Sequence, residues 1–145
     1  MRSVKASINI RAPQDRVWAI LSDVASYPAW SPFVVAVEGR AAVGETVTLV
    51  VAMTKGRPPL RQRETISRWE EGHEISWGTV MGHPRLLKAE RFQRLTRVSA
   101  GETLYETADD FDGLLVPIVF ALYGDRIQAG FDATTIALKQ RAEAG

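Results

Sequence analysis

A change of period after Gly113 constrains this chain more than any other feature. Phe120, Gly124, Ile127, Phe131, Thr134 and Leu138 step by four, three, four, three and four residues, which is one face of a long α-helix. Pro117 suits its first turn. A helix from about Pro117 to Ala142 is about 39 Å long at the α-helical rise, whereas a globule of 145 residues has a radius of gyration of about 15 Å. Such a helix has to cross the whole molecule.

What it crosses is set by the residues before it. Val4, Ala6, Ile8 and Ile10 alternate with polar neighbours, the pattern of a half-buried strand. Ala12-Pro13 ends that strand, and Val17, Ile20, Leu21 and Val24 then recur at helical spacing, with Pro13 suited to the first helical turn. Tyr27-Pro28 and Ser31-Pro32 limit Asp23 to Trp30 to a short second helix or turn. Six strands follow: Phe33 to Glu38, Thr46 to Met53, Arg61 to Trp69, Glu74 to Val80, Leu86 to Arg97 and Thr103 to Phe111. The connections, among them Lys55-Gly56-Arg57-Pro58-Pro59, are too short for parallel crossovers, so an antiparallel meander is expected. Only the long helix is large enough to cover its apolar face.

The fold class is therefore α+β: a curved seven-stranded antiparallel sheet wrapped on a long C-terminal helix, with two short helices between strands 1 and 2. Residues 1–145 are expected to form a single domain. Alternation assigns Phe33, Val35, Val37, Val47, Leu49, Val51, Met53, Ile75, Trp77, Tyr105, Thr107, Asp109 and Phe111 to the inner face. The parity of Arg61 to Trp69 and of Leu86 to Arg97 stays open. Gly124 and Gly130 each cost the helix about 1 kcal/mol relative to Ala. Gly124, on the inward stripe, either enlarges a pocket or marks a bend or close packing on the sheet.

Composition removes many activities. No cysteine is present, which excludes disulfides, thiolate nucleophiles and cysteine-ligated metal sites. With only His73 and His83, a histidine-rich metal centre is excluded too, and no metal or cofactor is expected. A net charge of +1 offers no field for holding a phosphate backbone, so no nucleic-acid partner is expected. The longest apolar run, Leu114 to Leu122, is cut by Pro117 and falls short of a membrane span. The alternating N-terminus lacks a secretory h-region, so a cytoplasmic location is expected. Phosphate-binding glycine loops and the zinc-protease and hydrolase motifs are missing.

Several local motifs carry a resemblance. They are Ala12-Pro13 before Arg16-Val17-Trp18 and Leu21-Ser22-Asp23, then Tyr27-Pro28-Ala29-Trp30-Ser31-Pro32-Phe33, Val43-Gly44, Ile75-Ser76-Trp77, and Phe111-Asp112-Gly113-Leu114-Leu115-Val116-Pro117 leading into Phe131 and Leu138-Lys139. In this order, over nearly the whole chain, they resemble the START-like superfamily of the birch-pollen allergens, also labelled SRPBCC, polyketide cyclase/dehydrase and lipid transport. The resemblance implies a helix-grip fold around an apolar tunnel, in a small bacterial single-domain member. It also implies an acidic residue two positions before the Phe that precedes the helix, which Asp109 matches. Fold likeness does not fix activity.

The expected function is binding of an apolar or amphipathic small molecule, lipid-, polyketide- or aromatic-like, between sheet and C-terminal helix. The expected lining is Phe33, Val35, Leu49, Val51, Trp77, Phe92, Phe111, Phe120, Tyr123, Ile127 and Phe131, with Thr107 and Asp109 as orienting polar groups. The alternative is a polyketide cyclase/dehydratase-type enzyme in which Asp109, Tyr123 or His83 moves protons. Two titratable groups converging on one cavity favour the enzyme; an Asp109 tied to backbone favours binding. Trp18 and Trp30 are expected to plug the junction of short helices and sheet. Arg85, Lys88, Arg91, Arg94 and Arg97 are expected on the outer face of a sheet. The oligomeric state stays open, with an edge strand or the long helix as possible dimer contacts.

Overall fold

The computed structural model describes residues 1–54 and 56–144; Lys55, in the connection expected after the third strand, and Gly145 lie outside the described residues. Strand β1 (Arg2–Ile10) is followed by helix α1 (Gln14–Ser22) and a 3-10 helix (Val24–Ala29). Strands β2 (Val34–Glu38), β3 (Thr46–Val51), β4 (Leu60–Glu70), β5 (Glu74–Val80), β6 (Lys88–Ser99) and β7 (Glu102–Asp112) lead into α2 (Val116–Glu143). The seven strands form one sheet in the order β1-β7-β6-β5-β4-β3-β2, every pair antiparallel. This is the expected fold.

Three local differences have physical causes. Pro13 is not in the first helical turn: it is extended (φ −62°, ψ 152°) and its carbonyl accepts the Arg16 and Val17 amides. A bulge between Val34 and Ala36 turns Val34 into the core and leaves Val35 exposed on the edge strand, which removes Val35 from the inner face. On β6, Ala89, Arg91, Gln93 and Leu95 are the buried alternation, so Phe92 points outward, covered by the Arg94 guanidinium at 4.5 Å. The same parity takes Arg91 off the expected outer stripe and into the interior.

The apolar interior has two parts. The larger, with Val17, Leu21, Tyr27, Ile66, Trp77, Tyr105 and Leu138, packs under α1, the 3-10 helix and the C-terminal half of α2. Trp18 seals its end as expected, donating from Nε1 to Glu71 and meeting Trp69 edge-on, while Trp30 packs on Tyr27. The smaller, with Val4, Leu87, Ala89, Phe111, Val116, Ile127 and Phe131, lies under the N-terminal half of α2. Side chains of α2 also cap the free edge of β1: Gln128 Nε2 donates to the Lys5 carbonyl and Lys139 Nζ to that of Asn9, both at 2.9 Å. These contacts fix where α2 crosses the sheet, and with it the space beneath its first turns.

Candidate functional site

A cavity of about 150 Å³ opens beneath the N-terminal half of α2. Its walls are apolar: Phe33, Leu87, Ala89 and Phe111 from the sheet side, Ile127 and Phe131 from α2. Leu60, Met81 and Tyr123 lie toward its mouth, in segments where each is exposed. Engineered apolar cavities of about this size admit a single aromatic ring.

Two carboxyls face this space. Glu64 projects from β4 and is buried; Asp109 projects from β7, and its Oδ1 is fully enclosed with no hydrogen-bond partner among the described residues. Burial pushes the Glu64 carboxyl up to about 8, with the charge of Asp109 adding to the rise and Arg91 opposing it. Burial likewise pushes Asp109 up to about 6, again opposed by Arg91. The Arg91 guanidinium is itself buried, 4.2 Å from the Phe131 ring centre and 5.8 Å from that of Trp77. Its Nε donates to Thr107 Oγ1 at 3.1 Å, and no carboxylate lies within ion-pair distance of it among the described residues. The cation thus acts on the two carboxyls through space without satisfying either, and Asp109 keeps an oxygen for an incoming donor.

Of the residues expected from sequence, Phe33, Asp109, Phe111, Tyr123, Ile127 and Phe131 come together on this cavity. Phe120 stands behind the wall, edge-on to Phe111 at 5.2 Å with Arg2 over its ring. Leu49, Val51 and Trp77 belong to the larger apolar cluster and do not line the cavity, because the sheet's inner face extends well past it. Thr107 is buried between its neighbours, accepting from Arg91 and donating to the Phe92 carbonyl. Phe92 and Val35 face away for the reasons of parity above. His83 sits exposed in the β5–β6 connection, its Nδ1 accepting the Arg85 amide, and does not line the cavity.

Gly124 does not line the cavity, and the three atoms nearest to a β-carbon placed there all belong to Phe120 of its own helix, the first at 3.2 Å. The glycine that shapes the cavity is Gly130, against which the Phe33 ring rests.

Sequence reasoning missed Glu64 and Arg91. Both were within reach of alternation: Gln62, Glu64 and Ile66 share one parity on β4, and Ala89, Arg91, Gln93 and Leu95 share one on β6. Among the described residues no cluster of three or more His, Cys, Asp or Glu could hold a metal ion. No helix among the described residues is long and apolar enough to cross a membrane.

The family model described as polyketide cyclase/dehydrase and lipid transport matches residues 1–143. A search of curated proteins returned no match. Among solved structures, a START superfamily protein from Mycobacterium smegmatis is 20% identical with a TM-score of 0.74, over 98% of this chain and 97% of that one. The Zhui aromatase/cyclase from a Streptomyces species is also 20% identical at 0.74, over 98% of this chain and 93% of that one. A point mutant of norcoclaurine synthase from Thalictrum flavum is 14% identical at 0.74, over 99% and 94%. At these identities the likeness is one of fold.

Proposed function

Because the chain belongs to the polyketide cyclase/dehydrase and lipid transport family, we propose that it binds an apolar or amphipathic small molecule in the cavity between sheet and C-terminal helix, with the molecule's polar end at Glu64 and Asp109. One observation carries this reading: two carboxyls with raised proton affinity face an otherwise apolar enclosure, and one oxygen of Asp109 has no partner among the described residues. A mostly neutral Glu64 can donate a hydrogen bond near neutral pH, and the free Asp109 oxygen can accept one, so a hydroxyl or carbonyl group fits the polar end. The enclosed space suits a single ring; a longer ligand extends through the mouth between Leu60, Met81 and Tyr123.

A second reading is the one favoured by the criterion set from sequence, since two titratable groups converge on one cavity and Asp109 Oδ1 has no hydrogen-bond partner among the described residues. Two acids of different proton affinity on one cavity, near 8 and near 6, are the arrangement from which a general acid and a general base are made. In this reading the protein is a cyclase- or dehydratase-type enzyme, with Glu64 as proton donor and Asp109 as acceptor.

Calorimetric titration with 4-methylphenol tests the binding site. Saturable binding to the wild type that is lost in Ala89→Ile, where the side chain fills the cavity, supports the proposal. No binding, or equal binding to both proteins, contradicts it. Native mass spectrometry of protein from its own cells, before and after incubation with a poly-β-keto chain, separates the two readings: a retained unchanged mass supports binding, a mass reduced by one water supports the enzyme.

A further inference from the structure

The molecule's exposed apolar side chains are gathered at one end. Among the described residues, fourteen large apolar side chains are exposed. Ten of them, Met1, Leu60, Val80, Met81, Leu86, Leu114, Leu115, Ile118, Leu122 and Tyr123, lie where β1 begins, β5 and β7 end, and α2 starts. The remaining four, Val35, Val43, Val98 and Ile136, stand elsewhere on the surface. Backbone bonds knit the patch together: the Leu114 amide donates to the Arg85 carbonyl and the Leu115 amide to that of Leu86. Leu60, Leu122, Tyr123, Pro58, Arg57 and Arg126 line one groove beside the cavity mouth. Patches of this kind mark interaction surfaces.

Charge identifies the partner. Among the described residues, five exposed cations, Arg2, Arg57, Arg85, Lys88 and Arg126, lie at this end against two exposed carboxylates, Asp112 and Asp125. Their apolar neighbours Leu114, Ile118 and Leu122 project from the loop and the outer side of the first turns of α2, 76%, 56% and 61% exposed. Apolar side chains that enter the acyl boundary, ringed by Arg and Lys at headgroup level, are the make-up of an interfacial membrane contact.

We propose that this end of the molecule, centred on Leu114, Ile118 and Leu122 and flanked by Arg57, Arg85 and Arg126, docks on an anionic lipid surface. The cavity mouth then opens toward the bilayer. This goes beyond the cavity's own function and does not depend on it.

Sedimentation with vesicles tests the proposal, using phosphatidylcholine alone or with about one-third phosphatidylserine. The wild-type chain should pellet with the anionic vesicles, remain in the supernatant with the neutral ones, and be released by high salt. Leu114→Ser with Leu122→Ser should abolish pelleting, while Val98→Ser with Ile136→Ser should leave it unchanged. Arg57→Gln with Arg126→Gln should weaken it roughly 25-fold, at about fivefold for each cation removed. Circular dichroism confirms that the variants are folded. A wild type that stays in the supernatant, or pelleting that survives Leu114→Ser with Leu122→Ser, overturns the proposal. A lipid-free dimer that the same double substitution breaks assigns the patch to a second copy of the chain and also overturns it. Ala89→Ile, with its cavity filled, should still pellet, so failure of the cavity reading and failure of this one are distinguishable.

Discussion

The ring of Phe33 rests on the backbone of Gly130: a β-carbon at position 130 would stand 2.5 Å from both Cδ2 and Cε2 of that ring. Phe33 also meets Phe131 edge-on at 6.5 Å and forms part of the cavity wall, so this one missing side chain sets where α2 and the wall lie relative to each other. Gly130→Ala gains about 1 kcal/mol of helix propensity but over-packs the contact, at a cost of about 1–3 kcal/mol. The net expected effect is destabilisation. In a Phe33→Ala background the clash is gone and the same substitution should stabilise by about 1 kcal/mol. Urea melts of the four proteins in this cycle check the reversal of sign.

Glu64 makes stability depend on pH. Its carboxyl is raised from 4.5 to about 8, so the folded chain keeps a proton that the unfolded chain loses. Where the folded state binds more protons, stability falls as pH rises. The fall should span the range from about 4.5 to about 8 and level off above it; Asp109, raised from 3.8 to about 6, adds a fall of the same sign over the lower part. Glu64→Gln should flatten the upper part of the curve and exceed the wild type above pH 8 by on the order of a few kcal/mol. Denaturant melts at intervals from pH 5 to about 9 measure it.

Arg91 is the charge that opposes these two protonations. Arg91→Met keeps apolar contact with Trp77 and Phe131 while removing the cation. At pH 5 Glu64 and most of Asp109 are neutral, so the loss should be small. Above pH 8 the wild type carries both charges with Arg91 favouring them through space, so the loss should grow with pH, by about 1.4 kcal/mol for each unit by which the cation lowers either carboxyl. A loss that does not grow with pH would mean that Arg91 acts through packing alone.

Phe131 is buried at the centre of the smaller apolar cluster, between Phe33, Ile127 and the Arg91 guanidinium. Phe131→Ala should cost about 3–5 kcal/mol in a urea melt.

The sheet and α2 were legible in the sequence because each has a long, unbroken period: alternation over β1 and β7, and the Phe120 to Leu138 stripe on α2. The inner wall was legible wherever parity was anchored at both ends of a strand, as for Asp109 and Phe111. It failed at Val35, where a single-residue bulge reversed the parity of a five-residue edge strand. It failed again at Phe92 and Arg91, where an aromatic residue was assigned inward and an arginine outward on type alone. The fold inverts that choice: Arg91 reaches the interior because two aromatic faces and Thr107 receive it, and Phe92 is covered outside by Arg94. Such compensations are tertiary and leave no local trace. Gly124 and Gly130 look alike in sequence, and only the position of Phe33 tells them apart.

The role of Glu64 and Asp109 as the polar end of a ligand cavity is open to test at the two carboxyls themselves. Isotope-edited NMR of their side-chain carboxyl carbons, followed through a pH titration with and without 4-methylphenol, tests it most directly. Midpoints of about 8 and about 6 are expected in the free protein, both displaced when the phenol is added. Two carboxyls that titrate at ordinary values, or that do not respond to the phenol, would contradict it.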